Sequence, residues 1–266
     1  MKLTRLRTYF RVWRLNASNT LQKLFINRAT NILFFFGKTI RMGMSLLFIF
    51  LIKDQISSFS SYSIDQVVIF FLTYQFIDTL TQVFFRGVYM FRARIIRGTF
   101  DFMLLKPISP LFQALTDHPD INDTIFIIPT TLLSIYIATT LNINVTWQSL
   151  IGYLILVANG LMIATALHIL VLVSGIITKD IQGFIWIYRD LLRLARFPVT
   201  IYLPPLRGVL FFLIPVGMMV TIPAEVLLNL TPTHSIAIAL MTGIGSLLVS
   251  LKIWQWSLKK YSSASS

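Results

Sequence analysis

The sequence contains no cysteine and few charged residues, and each shortage excludes a class of function. Without cysteine the chain cannot form disulfide bonds, bind zinc through thiolates or use a thiolate as a nucleophile. Only 12% of its 266 residues are charged, whereas 56% are hydrophobic. This leaves too little polar surface to cover a soluble globule of that length, so we expect an integral membrane protein.

Acidic residues are scarce too, with ten against 23 Lys and Arg, which gives a formal net charge of +13. The cations lie in the gaps between apolar runs and are not interleaved with aromatic residues in one patch. We therefore expect no nucleic-acid partner.

Catalytic motifs are missing as well. The chain has no H-E-x-x-H motif, no paired-carboxylate motif and no nucleophile beside a base, so we predict that it is not an enzyme. The run Phe36-Gly37-Lys38-Thr39 lacks the upstream glycine of a phosphate-binding loop. We accordingly expect no ATP hydrolysis by this chain and no cofactor.

Possible metal ligands cluster densely in one place, at Asp117, His118, Asp120 and Asp123. They are close in sequence and precede an apolar segment, where Asp is a common helix cap. We expect capping and surface solvation there and no metal site. His168 stands alone in an apolar segment and is expected to be hydrogen-bonded within the helix bundle.

Six apolar segments approach the length of about 20 residues that a bilayer core of about 30 Å requires. They are Ile32–Ile52, Val67–Phe85, Thr124–Leu141, Leu150–Ile177, Leu206–Pro223 and Ser235–Trp254. The fold class we predict is an all-α membrane protein with six transmembrane helices. Its parts are an amphipathic region of residues 1–31, a six-helix domain of residues 32–261 and a Ser-rich tail of residues 262–266.

The cations predict the orientation, because Lys and Arg accumulate in cytoplasmic loops. Apart from Lys53, the Lys and Arg residues, 22 of the 23, lie in four places: the N-terminal region through Arg41, Arg86–Lys106, Lys179–Arg207 and the C-terminal end. This distribution predicts that both termini and the segment Arg86–Phe112 are cytoplasmic. No secretory signal is evident, so we expect the N-terminus to stay inside.

Two amphipathic stretches are predicted to lie at the membrane surface. In the first, Leu3–Leu24, apolar residues recur every three or four positions opposite a basic face. The alternative for this stretch is an ordinary amphipathic helix packed on the protein. The second, Phe184–Ala195, ends before Phe197-Pro198, because proline disfavours helix at the residue that precedes it.

Two blocks of sequence resemble the permease subunits of type-2 ABC exporters. Gly98–Pro107 reads G-T-F-D-F-M-L-L-K-P, close to the family's cytoplasmic loop signature G-x-L-D-x-x-L-L-x-P, with Phe100 where the family usually has Leu. Phe197–Tyr202 and Ile214–Val216 are similar to the family's F-P-x-x-I-Y and I-P-V runs.

The resemblance implies a prokaryotic export permease in the plasma (inner) membrane, moving an amphipathic, lipid-like or glycan substrate. Its partners would be a separate ATP-binding-cassette ATPase, a second permease subunit, the same or related, and membrane lipid. An ATP-independent channel, scramblase or membrane scaffold is the alternative function.

We expect the segment Phe91–Pro107 to form a helix and turn that dock on the ATPase. The coupling residues would be Arg92, Arg94, Arg97, Gly98, Asp101, Leu105, Lys106 and Pro107.

Charged and polar residues within the first two spans are candidates for the transport pathway. Lys38 and Arg41 share one face of the first span, and Gln75, Asp78 and Gln82 share one face of the second. An unpaired charge inside the membrane is costly, so we predict that Asp78 contacts Lys38 or Arg41. The surplus positive charge is a candidate for receiving an anionic headgroup. The alternative is that both cations extend to the inner interface.

Overall fold

In the computed structural model the chain is almost entirely helical, and the structure describes residues 2–26, 28–53, 58–59, 61–141 and 143–262. The helices are α1 (Lys2–Ile26), α2 (Arg28–Lys53), α3 (Ile64–Ile96), α4 (Phe100–Leu104), α5 (Pro110–Thr116), α6 (Ile121–Thr140), α7 (Trp147–Thr178), α8 (Gln182–Leu194), α9 (Pro204–Gly208), α10 (Val216–Leu227) and α11 (Thr233–Lys260). Two short antiparallel strands, β1 (Ser58–Phe59) and β2 (Tyr62–Ser63), precede α3. The Ser-rich tail lies, apart from Ser262, outside the described residues.

The predicted all-α membrane fold is confirmed. Within the described ranges, α2, α3, α6, α7 and α11 are each long and apolar enough to cross a membrane. A sixth candidate is the bent pair Pro204–Leu213 and Val216–Leu227, whose two parts meet at 94°. The sequence predicted one segment from Leu206 to Pro223, and the structure breaks it at Ile214-Pro215.

The break has a local cause in backbone hydrogen bonding. Residues Val209–Leu213 form a π-helical turn, closed by the Ile214 amide on the Val209 carbonyl at 2.9 Å. Pro215 follows as the N-cap of α10. A proline has no amide hydrogen to continue a helical ladder, so the chain changes direction there.

The centre of the bundle is α7, which packs against α3, α10 and α11. Small residues allow these close approaches: a Cβ at Gly160 would lie 2.8 Å from the Met219 carbonyl of α10. On the α11 side, the Asn159 side chain donates a 2.8 Å hydrogen bond to the Ala239 carbonyl and lies against Gly243. Buried polar groups of this kind fix the register between neighbouring spans.

The basic residues near Arg97 lie together at one end of the bundle, which we call the basic end and define by Arg92, Arg97 and Lys106. The first predicted amphipathic stretch is helical, as α1, and contacts the protein at this end. The Tyr9 ring packs edge-on against Phe112, and its hydroxyl accepts a 3.1 Å hydrogen bond from the Ser109 amide.

The second amphipathic stretch is also helical, as α8, with Ile185, Tyr188 and Leu192 on its buried face. This face contacts the spanning helices, because the Tyr188 ring packs edge-on against His168 of α7. Phe184 and Ile187 of the same helix are exposed. Exposed apolar side chains of this kind suit contact with lipid.

Candidate functional sites

A cavity of about 320 Å³ opens between α2, α3, α6 and α8. All five pathway candidates from the sequence line it. We call it the charged cavity, and its lining residues are Phe34, Lys38, Arg41, Gln75, Asp78, Thr79, Gln82, Arg86, Tyr89, Asp123, Phe126, Gln182, Ile185, Trp186, Arg189 and Arg193.

The predicted contact of Asp78 with Lys38 or Arg41 is wrong. Arg189 of α8 binds Asp78 instead, with 2.6 Å from Nη1 to Oδ1 and 3.5 Å from Nη2 to Oδ2. A guanidinium presents two donors to the two carboxylate oxygens, which a lysine ammonium does not do. Lys38 forms its ion pair with Asp123, in the first turn of α6.

The charged cavity extends inward from the start of α6. Arg86 of α3 lies 3.5 Å from Asp120, the N-cap of α6, so these two positions are level with each other. Asp78 is eight residues before Arg86, or about 12 Å further into the bundle at 1.5 Å per residue. In the other direction, α3 continues for about 15 Å beyond Arg86 toward its end at Ile96.

Positive charge exceeds negative charge around the cavity. Its lining contains five cations and two carboxylates. Two further carboxylates outside the lining, Asp120 and Asp190, pair with Arg86 and Arg193. Among the described residues, Arg41 is left without an ion-pair partner. A single anionic group would balance that charge.

Polar side chains hold the α3 wall of the cavity in place. The Gln82 side chain donates a 3.1 Å hydrogen bond to the Tyr89 hydroxyl, and the Arg86 guanidinium lies 5.3 Å above the Tyr89 ring. Gln75 donates to Thr79 at 3.2 Å. Neutral hydrogen-bonding groups therefore border the charged ones.

Several cavity residues were not identified from the sequence as pathway candidates. They are Arg86, Tyr89, Asp123, Trp186, Arg189 and Arg193. The polar face of α8 was visible in the periodicity, but nothing local indicates that α8 packs beside α3. The cluster that contains Asp120 and Asp123 was assigned to capping and surface solvation. Asp120 is the cap, since its Oδ1 accepts a 3.1 Å hydrogen bond from the Asp123 amide, whereas Asp123 pairs with Lys38.

A second site lies at the basic end, where α3 turns into α4. Gly98 adopts φ of +67°, which favours glycine, and it permits the tight reversal between the two helices. The Phe100 ring anchors α4, because it is fully buried and lies 5.0 Å from both Phe91 and Tyr261.

The predicted coupling residues fall into two groups at this site. Arg92, Arg97, Leu105, Lys106 and Pro107 are exposed. Arg94, by contrast, binds Asp117 with nitrogen–oxygen distances of 3.1 and 2.5 Å. Asp101 lies beside Tyr261, where burial and then the Asp101 carboxylate raise the pKa of the tyrosine to about 12.

The segment before α6 is held by charge pairing at Asp117. Burial by itself would raise the pKa of this carboxyl, but hydrogen bonds from His118 and Arg94 outweigh that effect and lower it. The ion pair between Arg94 and Asp117 therefore connects the end of α3 to the segment that joins α5 to α6.

Exposed apolar side chains complete the surface of α4. Phe102 is 65% exposed and Leu105 is 81% exposed. Phe102 was not among the predicted coupling residues, although it lies one position after Asp101. We call Arg92, Arg97, Phe102, Leu105, Lys106 and Pro107 the α4 surface.

At the opposite end of the bundle, Tyr62 joins three segments of the chain. Its hydroxyl donates a 2.7 Å hydrogen bond to Glu225 of α10 and lies 3.0 Å from Thr200. The loops at this end also meet, because Asn229 donates to the Asn144 carbonyl at 3.0 Å.

Comparison with known families gives one match. A family model described as "ABC-2 family transporter protein" matches residues 39–265. This range begins within α2 and includes the charged cavity from Arg41 onward, the α4 surface and both blocks of resemblance; it leaves α1 outside. No curated protein and no solved structure matches the chain.

Proposed function

Because this chain belongs to the ABC-2 transporter family, we propose that it is the permease subunit of an exporter driven by a separate ATPase subunit. The chain is a transmembrane permease in which, among the described residues, five helices are long and apolar enough to span the membrane and a bent pair is a sixth candidate. The step from permease to ATP-driven exporter is supported by one observation, the α4 surface.

The α4 surface has the features of a protein docking site. Phe102 and Leu105 expose apolar side chains beside Arg97 and Lys106, a combination of apolar anchors and cations that is common at interfaces. The surface is rigid, because Phe100 is buried beneath it and the Gln113 side chain donates to the Met103 carbonyl at 3.3 Å. A rigid apolar anchor loses little entropy when a partner binds.

Force applied to α4 would reach the charged cavity through covalent and ionic connections. The chain runs from α4 through Gly98 directly into α3, which carries Asp78. Arg94 and Asp117 transmit movement to α6, and the contacts of Phe100 with Trp254 and Tyr261 transmit it to α11. Closure of an ATPase pair on ATP binding would then shift the bundle between two arrangements.

The remaining parts of the proposal follow the family architecture. The basic end would face the cytoplasm of a prokaryotic cell, and the protein would lie in its inner membrane. A second permease subunit, the same or related, would pair with this one; exposed apolar residues on α2, such as Leu47 and Leu51, leave surface for it. Residues 1–31 would form the surface region and residues 32–261 the permease domain.

Co-purification tests the proposal. The full-length chain is expressed with the ABC ATPase encoded in its gene neighbourhood, and the complex is isolated through a tag on the permease. We expect the ATPase to co-purify with the wild type and with the apolar control F102L/L105M. The variant F102D/L105D should lose it, because the aspartates would have to be desolvated at the interface.

A transport assay distinguishes the ATP-driven exporter from an ATP-independent scramblase or channel. ATP-dependent movement of lipid or glycan in proteoliposomes supports the exporter. ATP-independent movement, together with equal ATPase recovery from wild type and F102D/L105D, would contradict the proposal and favour a scramblase or channel.

A further inference from the structure

Arg41 lines two adjoining concavities with different chemistry. One is the charged cavity. The other has a volume of about 570 Å³ and is lined by Gly37, Ile40, Arg41, Met44, Ser45, Phe48, Ile49, Phe71, Arg196 and Phe197. We call this second concavity the α2 groove. A ligand with one charged end and one apolar end would fill both.

The α2 groove has the dimensions of an acyl-chain site. It follows α2 from Gly37 to Ile49, which is about 18 Å at 1.5 Å per residue. One leaflet of the hydrocarbon core is about 15 Å deep. The side chains of Ile40, Met44 and Phe48 line this length, and Phe71 of α3 lines it from the neighbouring helix.

The charged cavity favours an anionic group. Lys38, Arg86, Arg189 and Arg193 are paired with carboxylates of this chain, whereas Arg41 has no such partner in the part of the chain that the structure describes. A cation on a spanning helix is costly without a counter-ion. A zwitterionic lipid would bring a cation together with its phosphate and leave the positive charge of the cavity unbalanced, and a free anion would make no use of the α2 groove.

We propose that the charged cavity and the α2 groove together bind an anionic phospholipid. Its phosphate would lie at Arg41, beside Lys38 and Arg189, and one acyl chain would occupy the α2 groove along its length between Gly37 and Ile49. The claim that this lipid is the transported substrate rests on the proposed function. The claim that the lipid binds does not.

The chain offers a matched pair of variants for each half of the site. R41Q removes a cation that has no ion-pair partner among the described residues, and K252Q removes an exposed cation of α11 outside the cavity. G37L places a large side chain in the α2 groove, and G43L places it elsewhere on α2. A Cβ at either glycine meets no atom within 4 Å, so a side chain can be introduced at both positions without a clash at Cβ.

Native mass spectrometry of the full-length chain, purified without an ATPase, measures the binding. The probes are phosphatidylglycerol, phosphatidylcholine of the same acyl chains, and inorganic phosphate as a competitor. We expect phosphatidylglycerol to bind at least about tenfold more tightly than phosphatidylcholine. R41Q should abolish that preference, G37L should weaken both lipids, and K252Q and G43L should match the wild type.

Three results would overturn the proposal. Equal affinity for the two lipids in the wild type would exclude an anion-selective site. An unchanged preference in R41Q would place the selectivity elsewhere. Competition by inorganic phosphate together with unaltered lipid binding in G37L would identify a free-anion site and exclude the acyl-chain role of the α2 groove.

The binding test is separable from the test of function. If the wild type binds phosphatidylglycerol selectively but no ATPase co-purifies with it, the exporter proposal is wrong and the lipid site stands. If the ATPase co-purifies but lipid binding is not selective, the anionic lipid is excluded as the substrate class and the exporter proposal stands.

Discussion

Arg189 binds Asp78 across the interface between α8 and α3, with 2.6 Å between Nη1 and Oδ1. Both side chains are largely buried, at 13% and 4% exposure. The pair holds α8 against a spanning helix at the wall of the charged cavity. It therefore stabilises the fold and shapes the site at once.

Removing one member of this pair should be costly. D78N leaves the Arg189 guanidinium buried without a counter-ion, and loss of one partner of a buried pair typically costs about 3 to 5 kcal/mol. We expect a fall of several degrees in the thermal unfolding midpoint in detergent. The exposed pair Arg193–Asp190, at 2.7 Å, is the control. D190N should cost less than about 1 kcal/mol, and equal losses for the two variants would contradict the prediction.

Arg92 and Arg94 are two residues apart and should act differently. Arg92 is exposed on the α4 surface, so R92Q should weaken ATPase association and leave the stability of the permease unchanged. Arg94 binds Asp117, so R94Q should retain the ATPase but lose transport, because the connection to α6 is broken.

The charge swap R94D/D117R tests this connection directly. It should restore part of the transport that R94Q loses, since the ion pair can form again in reverse. Pull-down and proteoliposome transport, measured on the same preparations, separate association from coupling. Transport by R94Q at the wild-type rate would exclude the proposed role of Arg94.

Gly243 should not tolerate even a methyl group. A Cβ at this position would lie 2.0 Å from Oδ1 of the buried Asn159, whose amide donates to Ala239. G243A must displace that side chain, which adds the cost of overpacking, about 1 to 3 kcal/mol, to that of a strained buried hydrogen bond. G245A is the control, because no atom lies within 4 Å of a Cβ there. The midpoint of thermal unfolding should be well below that of G245A for the variant G243A.

The absence of cysteine makes the orientation directly measurable. Single cysteines at exposed positions 92 and 144 lie at the basic end and at the opposite end of the bundle, respectively. In intact cells an impermeant thiol reagent should label position 144, and position 92 should require permeabilisation. Labelling of both positions from the same side would contradict the proposed topology.

The fold was largely predictable from the sequence because hydropathy determines where a chain crosses a membrane. All six apolar segments correspond to described helices or to the bent pair. Pro215 was read as part of a family block and not as a break. A proline alone does not determine whether a span kinks slightly or turns through 94°, since that depends on the contacts on either side.

The sequence predicted which residues lie at the candidate site, but not which ion pairs they form. Spacing along α2 and α3 placed five polar residues on two faces, and these faces meet at one cavity. The partners of Lys38 and Asp78 come from α6 and α8, which are remote in sequence. The pairing of charges across helices depends on how those helices pack, and a single sequence without an alignment gives no measure of it.

The short helix α10 has a consequence for the lipid around the protein. With 12 residues it is about 18 Å long, well below the bilayer core of about 30 Å. Exposed Leu203, Phe212 and Leu213 lie in the segment that precedes it. Ten of the 12 residues of α10 are buried in the bundle, so it is the exposed segment before α10 that meets the hydrocarbon, and its depth depends on membrane thickness. Activity in proteoliposomes should therefore change with the acyl-chain length of the host lipid.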